Sequence, residues 1–234
     1  MDRYLIGLTG NIATGKSVVA GMLAGLGAHT IDADRVAHEV MRQDTPVWQA
    51  VVDAFGQAIL AADGEIHRRR LGGIVFADPE ALRRLEAIVH PATLQAVDAA
   101  VTRANERVVV VEAIKLIEAG MHRAYHALWV TACPPETQIA RLIALRGLSE
   151  AEARLRVESQ PPQAEKVAQA DVVIDTGGTL ADTRRQVVAA WEAIPHIFTD
   201  HRTQGFESRR VTDSPRARQR AKGSGVPEKE KSDE

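Results

Sequence analysis

Cysteine is nearly absent from this 234-residue chain: Cys133 stands alone, so no internal disulfide can form and a reducing compartment is expected. The thiol itself reads as a buried, inert small hydrophobe. No apolar run reaches the roughly 18 residues that a membrane span needs. The opening "MDRYLIGLTG" also lacks the long apolar stretch and small-residue cleavage pattern of a signal peptide. A cytoplasmic protein with no membrane attachment is therefore expected. The net charge of −2 gives no overall pull toward nucleic acid. Eight histidines are present without a His-Glu-x-x-His pattern, so a zinc site is not expected. Lysine is scarce as well: only Lys16, Lys115 and Lys166 precede a polar C-terminal stretch, while arginine is abundant.

The rest is ordinary for a globular chain, 45% hydrophobic and 26% charged, long enough for one substantial core or a core with an insertion. Short β-rich runs at 4–9, 29–32, 107–113, 127–132 and 171–175 alternate with helical stretches. Runs such as "VVVV" are apolar without alternation, as parallel strands covered on both faces require. The predicted fold is an α/β doubly wound parallel sheet of about five strands, with a helical insertion and a helical lid. Its core takes residues 1–34, 105–133 and 170–196.

Residues 35–104 separate two core strands by far more than a normal crossover and read as an inserted helical subdomain. There Asp78 is the expected N-cap of a helix with Pro79 in its first turn, and His90-Pro91 is expected to break that helix. The short runs "QAIL" and "EIH" are candidate strands. Residues 134–169 read as a helical pair carrying Arg141, Arg146, Arg154 and Arg156. A capping box joins Ser149 to Glu152 there, and Pro161-Pro162 ends the pair. Residues 197–234 are polar, mixed in charge and poor in aliphatics, a composition that predicts a disordered tail.

The strongest chemical signal is "GLTGNIATGKS", in which Gly10, Gly15, Lys16 and Ser17 have the spacing of a P-loop between a strand and a helix. Backbone N–H groups of Gly10, Asn11, Ile12, Ala13, Thr14, Gly15, Lys16, Ser17 and Val18 are the expected cradle for nucleotide phosphates. Lys16 supplies a compact cation, and the Ser17 hydroxyl is the expected Mg²⁺ ligand. Asn11 tolerates a left-handed backbone, whereas Ala13 does so only at a cost, so a negative φ is expected at Ala13. Asp32 and Asp34, in "IDAD", end the second strand, on the side where open α/β sheets bind ligands. One of them is expected to orient or deprotonate an attacking hydroxyl, and the bland alternative is that they cap a helix starting near Arg35. The lid arginines Arg141 and Arg146 are best placed to neutralise phosphoryl charge. Glu112, at the end of "VVVVE", is an open candidate for a Mg²⁺ shell, and "HRRRLGG" (67–73) for a phosphate contact. No Asn-Lys-x-Asp stretch is present, which argues against a guanine-reading switch protein.

Taken in order, "GLTGNIATGKS", "IDADRVAHEV", "RRRLGGIVFADPEALRRLEAIVHP", "PPETQIARLIALR", Gln160 and "EKVAQADVVIDTGG" resemble the dephospho-CoA kinases over about residues 3–192. The resemblance implies a nucleotide core, a CoA-side insertion and a lid, with ATP phosphorylating the ribose 3′-hydroxyl of dephospho-CoA. By position it makes Asp34 the catalytic carboxylate with Asp32 nearby, and Arg141 the phosphate-binding lid arginine. Arg68, His90 and Gln160 fall at substrate-side positions, and Thr176 replaces a frequent asparagine near the adenine. Where that family commonly reads proline-leucine-leucine after the third strand, this chain has "AIKLIE" (113–118), with Lys115 a compensating contact. A nucleoside or nucleotide kinase of similar architecture is the runner-up. The sequence sets no oligomeric state.

Overall fold

A computed structural model of the chain describes residues 3–195. The expected tail from 197 onward lies outside the described residues. Five strands form one all-parallel sheet: β1 (Tyr4–Thr9), β2 (His29–Asp32), β3 (Val108–Glu112), β4 (Ala127–Ala132) and β5 (Val172–Asp175), in the order β2-β3-β1-β4-β5. All five sit where the sequence places them, to within one residue at any end. Val109, Val110 and Val111 of β3 are fully buried, which explains their unbroken apolar run.

Two apolar layers cover the sheet. On one face, α1 (Lys16–Gly25) and α9 (Leu180–Glu192) pack Val19, Leu23 and Val187 against Ile6, Leu8, Val110 and Trp129. On the other, Val97 of α5 (Pro79–Arg103) joins Ile31, Val109, Val111, Leu128 and Val130. A third cluster lies away from the sheet: α3 (Pro46–Phe55), α4 (Arg68–Ala77) and the first half of α5 bury Val51, Leu71, Val75, Ala81 and Val89 around Ile59. This is the core of the helical segment expected at 35–104. The runs "QAIL" and "EIH" contribute only a single bridge, Leu60 to Ile66.

Three expectations need correction here. Pro91 does not end its helix: α5 runs unbroken through it, 25 residues long. Proline removes one backbone donor and strains the preceding turn, a defect of about 3 kcal/mol. Thr93 Oγ1 donates to the Val89 carbonyl at 2.9 Å, and Val89 and Val97 are buried in two different cores, so packing on both sides of the kink position outweighs the defect. Next, α2 (Ala33–Val40) begins at Ala33 rather than near Arg35, because the Asp32 carboxylate caps it by accepting from the Arg35 N–H at 2.9 Å.

The third correction concerns the loop. Ala13 has φ of 57°, not a negative value, while Asn11 is not among the residues with positive φ. The neighbours over-determine this conformation. Gln160 Oε1 accepts from the Ile12 N–H at 2.9 Å, Arg141 Nη1 donates to the Ala13 carbonyl at 3.1 Å, and Ile12 and Ala13 pack on the apolar cluster of Ile139, Leu142 and Ala153. Ala13→Gly is therefore expected to stabilise the protein by about 0.5–1 kcal/mol, relief of the left-handed alanine exceeding the added chain entropy. That corresponds to a melting temperature about 2–3 °C higher by calorimetry, and a lower one would show the loop to be unstrained.

Candidate active site

Gly10 leaves β1 under the Thr131 side chain and backbone. A Cβ there would lie 2.6 Å from the Thr131 carbonyl, so only glycine allows the turn. Gly15, at φ 81°, then feeds the chain into α1. Among the described residues, the N–H groups of Ala13, Gly15, Lys16 and Ser17 have no acceptor within the protein. Donors left open around a helix N-terminus form an anion seat. Lys16 Nζ folds over it, donating to the Gly10 carbonyl at 2.9 Å and the Asn11 carbonyl at 3.4 Å.

Two carboxylates, Asp34 and Glu112, act on this lysine at the C-terminal ends of the strands, with Asp32 beside Glu112. The parallel register sets Asp32 beside Glu112, and Leu8 of β1 beside the same Glu112. Asp34, in the first turn of α2, accepts from the Ile114 N–H through Oδ2 at 3.1 Å. Burial pushes the Glu112 carboxyl up, with Asp32 and Asp34 adding to the shift and Lys16 opposing it. Burial lowers Lys16 to about 8, against the pull of Asp34 and Glu112. The free protein thus carries a Lys16 cation below about pH 8 and loses it above. Since phosphate binding favours the charged form, kcat/KM for ATP is expected to fall above about pH 8, while kcat at saturating ATP holds to higher pH. A kcat/KM profile flat to pH 9.5 would remove Lys16 from phosphate binding.

The other flank of the loop is formed by α6 (Pro135–Arg146), α7 (Glu150–Glu158) and the short α8 (Gln163–Val167), with the Ser149–Glu152 capping box as expected. Arg141 reaches from α6 to the Ala13 carbonyl, to Thr176 Oγ1 at 3.1 Å and to the Thr176 carbonyl at 2.5 Å. Thr176 is buried and donates to the Thr14 carbonyl at 2.9 Å, behind the loop. Gln160, expected on the substrate side, spends its side-chain oxygen on Ile12, while Asn11 Nδ2 donates to the Pro161 carbonyl at 3.0 Å. The Val18 side chain is nearly half exposed and lines an outer groove of about 320 Å³ with Gly21 and Met22 of α1 and Arg184 and Val188 of α9.

This architecture matches one family model over residues 4–182, that of the dephospho-CoA kinases. The chain belongs to the dephospho-CoA kinase family. Its activity is accordingly that of a phosphotransferase, with ATP as co-substrate. It is 47% identical over 191 residues to the dephospho-CoA kinase of Geobacter metallireducens, covering 80% of this chain and 95% of that one. The Leifsonia xyli dephospho-CoA kinase is 43% identical over 194 residues, covering 81% and 98%. Among solved structures, a Thermus thermophilus protein superposes with a TM-score of 0.74 at 32% identity, covering 83% of this chain and all of that one. The Campylobacter jejuni dephospho-CoA kinase gives 0.60 at 27% identity, covering 83% and 97%.

Within this dephospho-CoA kinase, the predicted residues divide into two groups. Gly10 to Ser17 form the loop, Asp34 lies within the field of Lys16, Arg141 and Thr176 bond carbonyls of the loop, and Asp32 caps α2. Arg68, His90 and Lys115 lie toward the helical segment: Arg68 opens α4 and acts on His38, whose basicity is lowered by burial first and by Arg68 second. Lys115 pairs with Glu86 at 3.4 Å, one helical turn before the exposed His90. Among the described residues, no helix is long and apolar enough to cross a membrane.

Proposed function

We propose that this kinase seats the ATP phosphates on residues 10–17 and moves the γ-phosphoryl to the ribose 3′-hydroxyl of dephospho-CoA, yielding coenzyme A and ADP. The observation that carries the reading is Asp34. It is an anchored carboxylate at the strand ends, and the lysine of the phosphate loop lies within its field. Asp34 orients the hydroxyl and takes up its proton as the new O–P bond forms. Lys16 and Arg141 meet the charge on the transferring group, and Thr176 steers Arg141 onto the loop. Arg68, His90 and Lys115, on or beside the 35–104 insertion, hold the CoA side, with Asp32 at the crevice edge. Gln160 and Pro161 fix the loop's far side rather than touching the acceptor.

The donor set suits Mg²⁺. Among the described residues no three His, Cys, Asp or Glu side chains gather as a cage, and Mg²⁺ prefers phosphates and water with one or two protein oxygens. Ser17 Oγ and Glu112 would supply those oxygens, and burial of the Glu112 carboxyl near Asp32 and Asp34, which pushes it up, is what a divalent cation would relieve. When bound, the ion supplies charge neutralisation on the phosphates. The reaction itself suits the cytoplasm.

ADP release measured with dephospho-CoA, adenosine and nucleoside monophosphates as competing acceptors tests the reading. Turnover is expected with dephospho-CoA far above the others. Preference for a nucleoside or its monophosphate would favour the runner-up kinase instead.

A further inference from the structure

Lys166 is a charged side chain that the transfer described above leaves without a task. It sits on α8 at 4% exposure, a burial that lysine tolerates only with partners. Both partners lie on the segment after β3. Nζ donates to the Ile114 carbonyl at 2.6 Å and pairs with Glu118 Oε1 at 3.0 Å. The same carbonyl accepts from Thr9 Oγ1 at 3.1 Å, and the N–H of the same residue holds Asp34 Oδ2.

We infer that Lys166, steadied by Glu118, is a positioning residue: it fixes residue 114 and through it aims the Asp34 carboxylate. This rests on the reading of Asp34 as the group that orients the acceptor hydroxyl. Two physical points support it. The segment from 113 to 120 is built of turns, tied by backbone from Ala113 to Leu8, across its turns and from His122 to Leu116, and by the buried Leu116 side chain. From α8, Lys166 supplies the Ile114 carbonyl with a donor besides the Thr9 hydroxyl. A buried ion pair is also a poor device for stability alone, since apolar replacements are often neutral or better. Holding one backbone carbonyl at a fixed place is a task an apolar side chain cannot do.

Positioning of this kind is steep, because a misplacement of about 1 Å can lower the rate by about 100-fold. The test uses Lys166→Met, Lys166→Arg and Glu118→Gln, each alone and combined with Asp34→Asn. Turnover is measured with dephospho-CoA, and ATP affinity by titration without acceptor. Lys166→Met is expected to lower kcat about 10- to 100-fold, Glu118→Gln about 3- to 10-fold, and ATP Kd by neither more than about threefold. Lys166→Arg recovers most of the turnover. In the Asp34→Asn background the effects of Lys166→Met and Glu118→Gln shrink to less than about twofold, as expected of residues acting as one unit.

Several results overturn the inference. One is a full loss that persists without the Asp34 carboxylate, and another is parental kcat in Lys166→Met. A third is unchanged kcat with ATP binding much weakened, since a purely electrostatic role, a cation lost near the phosphate seat, predicts that outcome. Should Lys166→Met not fold, Glu118→Gln, at a half-exposed site, decides by the same criterion. The two readings fail separately. An Asp34→Asn enzyme with parental kcat removes the role of Asp34, whereas low Asp34→Asn activity with additive Lys166 effects removes only Lys166.

Discussion

Asp34→Asn is expected to lower kcat by about 10²- to 10⁴-fold, the range of a lost general base, while ATP affinity changes by less than about threefold. The amide keeps an oxygen for the Ile114 N–H, so geometry at 3.1 Å from that donor is preserved. What disappears is the charge and basicity that a hydroxyl proton needs. Asp34 also stands in the first turn of α2, where the helix dipole favours an anion. The measurement is steady-state turnover with dephospho-CoA beside ATP titration of the free enzyme. Near-parental turnover, or a large loss of ATP affinity with turnover intact, would take the role away from Asp34.

Arg141→Met carries the second large effect, about 10²- to 10³-fold in kcat from loss of a fixed cation at the transferring group. Its consequences spread further than those of Asp34, because Arg141 is also a strut. Its guanidinium bridges the Ala13 carbonyl of the loop to the side chain and carbonyl of Thr176, so its removal leaves two carbonyls without their charged donor. A stability loss of about 1–3 kcal/mol should accompany the kinetic one. Arg141→Lys separates the two. Lysine restores charge but cannot reproduce a planar fork that serves two residues at once, so ATP affinity should recover more than turnover. Equal recovery of both would mean that charge alone matters.

The sheet was readable because its strands are covered on both faces, which leaves an unmistakable apolar run such as Val108 to Val111. The phosphate loop was readable because its function depends on glycine where side chains collide, as Gly10 does with Thr131. The errors came where local rules met tertiary contacts. His90-Pro91 carries a strong local signal for a break, yet buried residues on either side hold the helix together. Ala13 carries a strong local preference for negative φ, yet Arg141 and Gln160, distant in sequence, fix its neighbours. Lys166 was illegible for the same reason. Its meaning lies in Ile114 and Glu118, about 50 positions away, and no spacing rule links them.

The unbroken α5 has a mechanical consequence. Its first half belongs to the outlying helical core through Ala81 and Val89, and its second half is glued to the sheet through Val97. One rod therefore spans both packing clusters, with no break along its length. The two flanks of the phosphate loop are thus unequal: one is tied to the sheet by a continuous helix, while the other, α6 and α7, meets the loop through the small cluster around Ile139, Leu142 and Ala153. Any relative motion is therefore expected on the second flank.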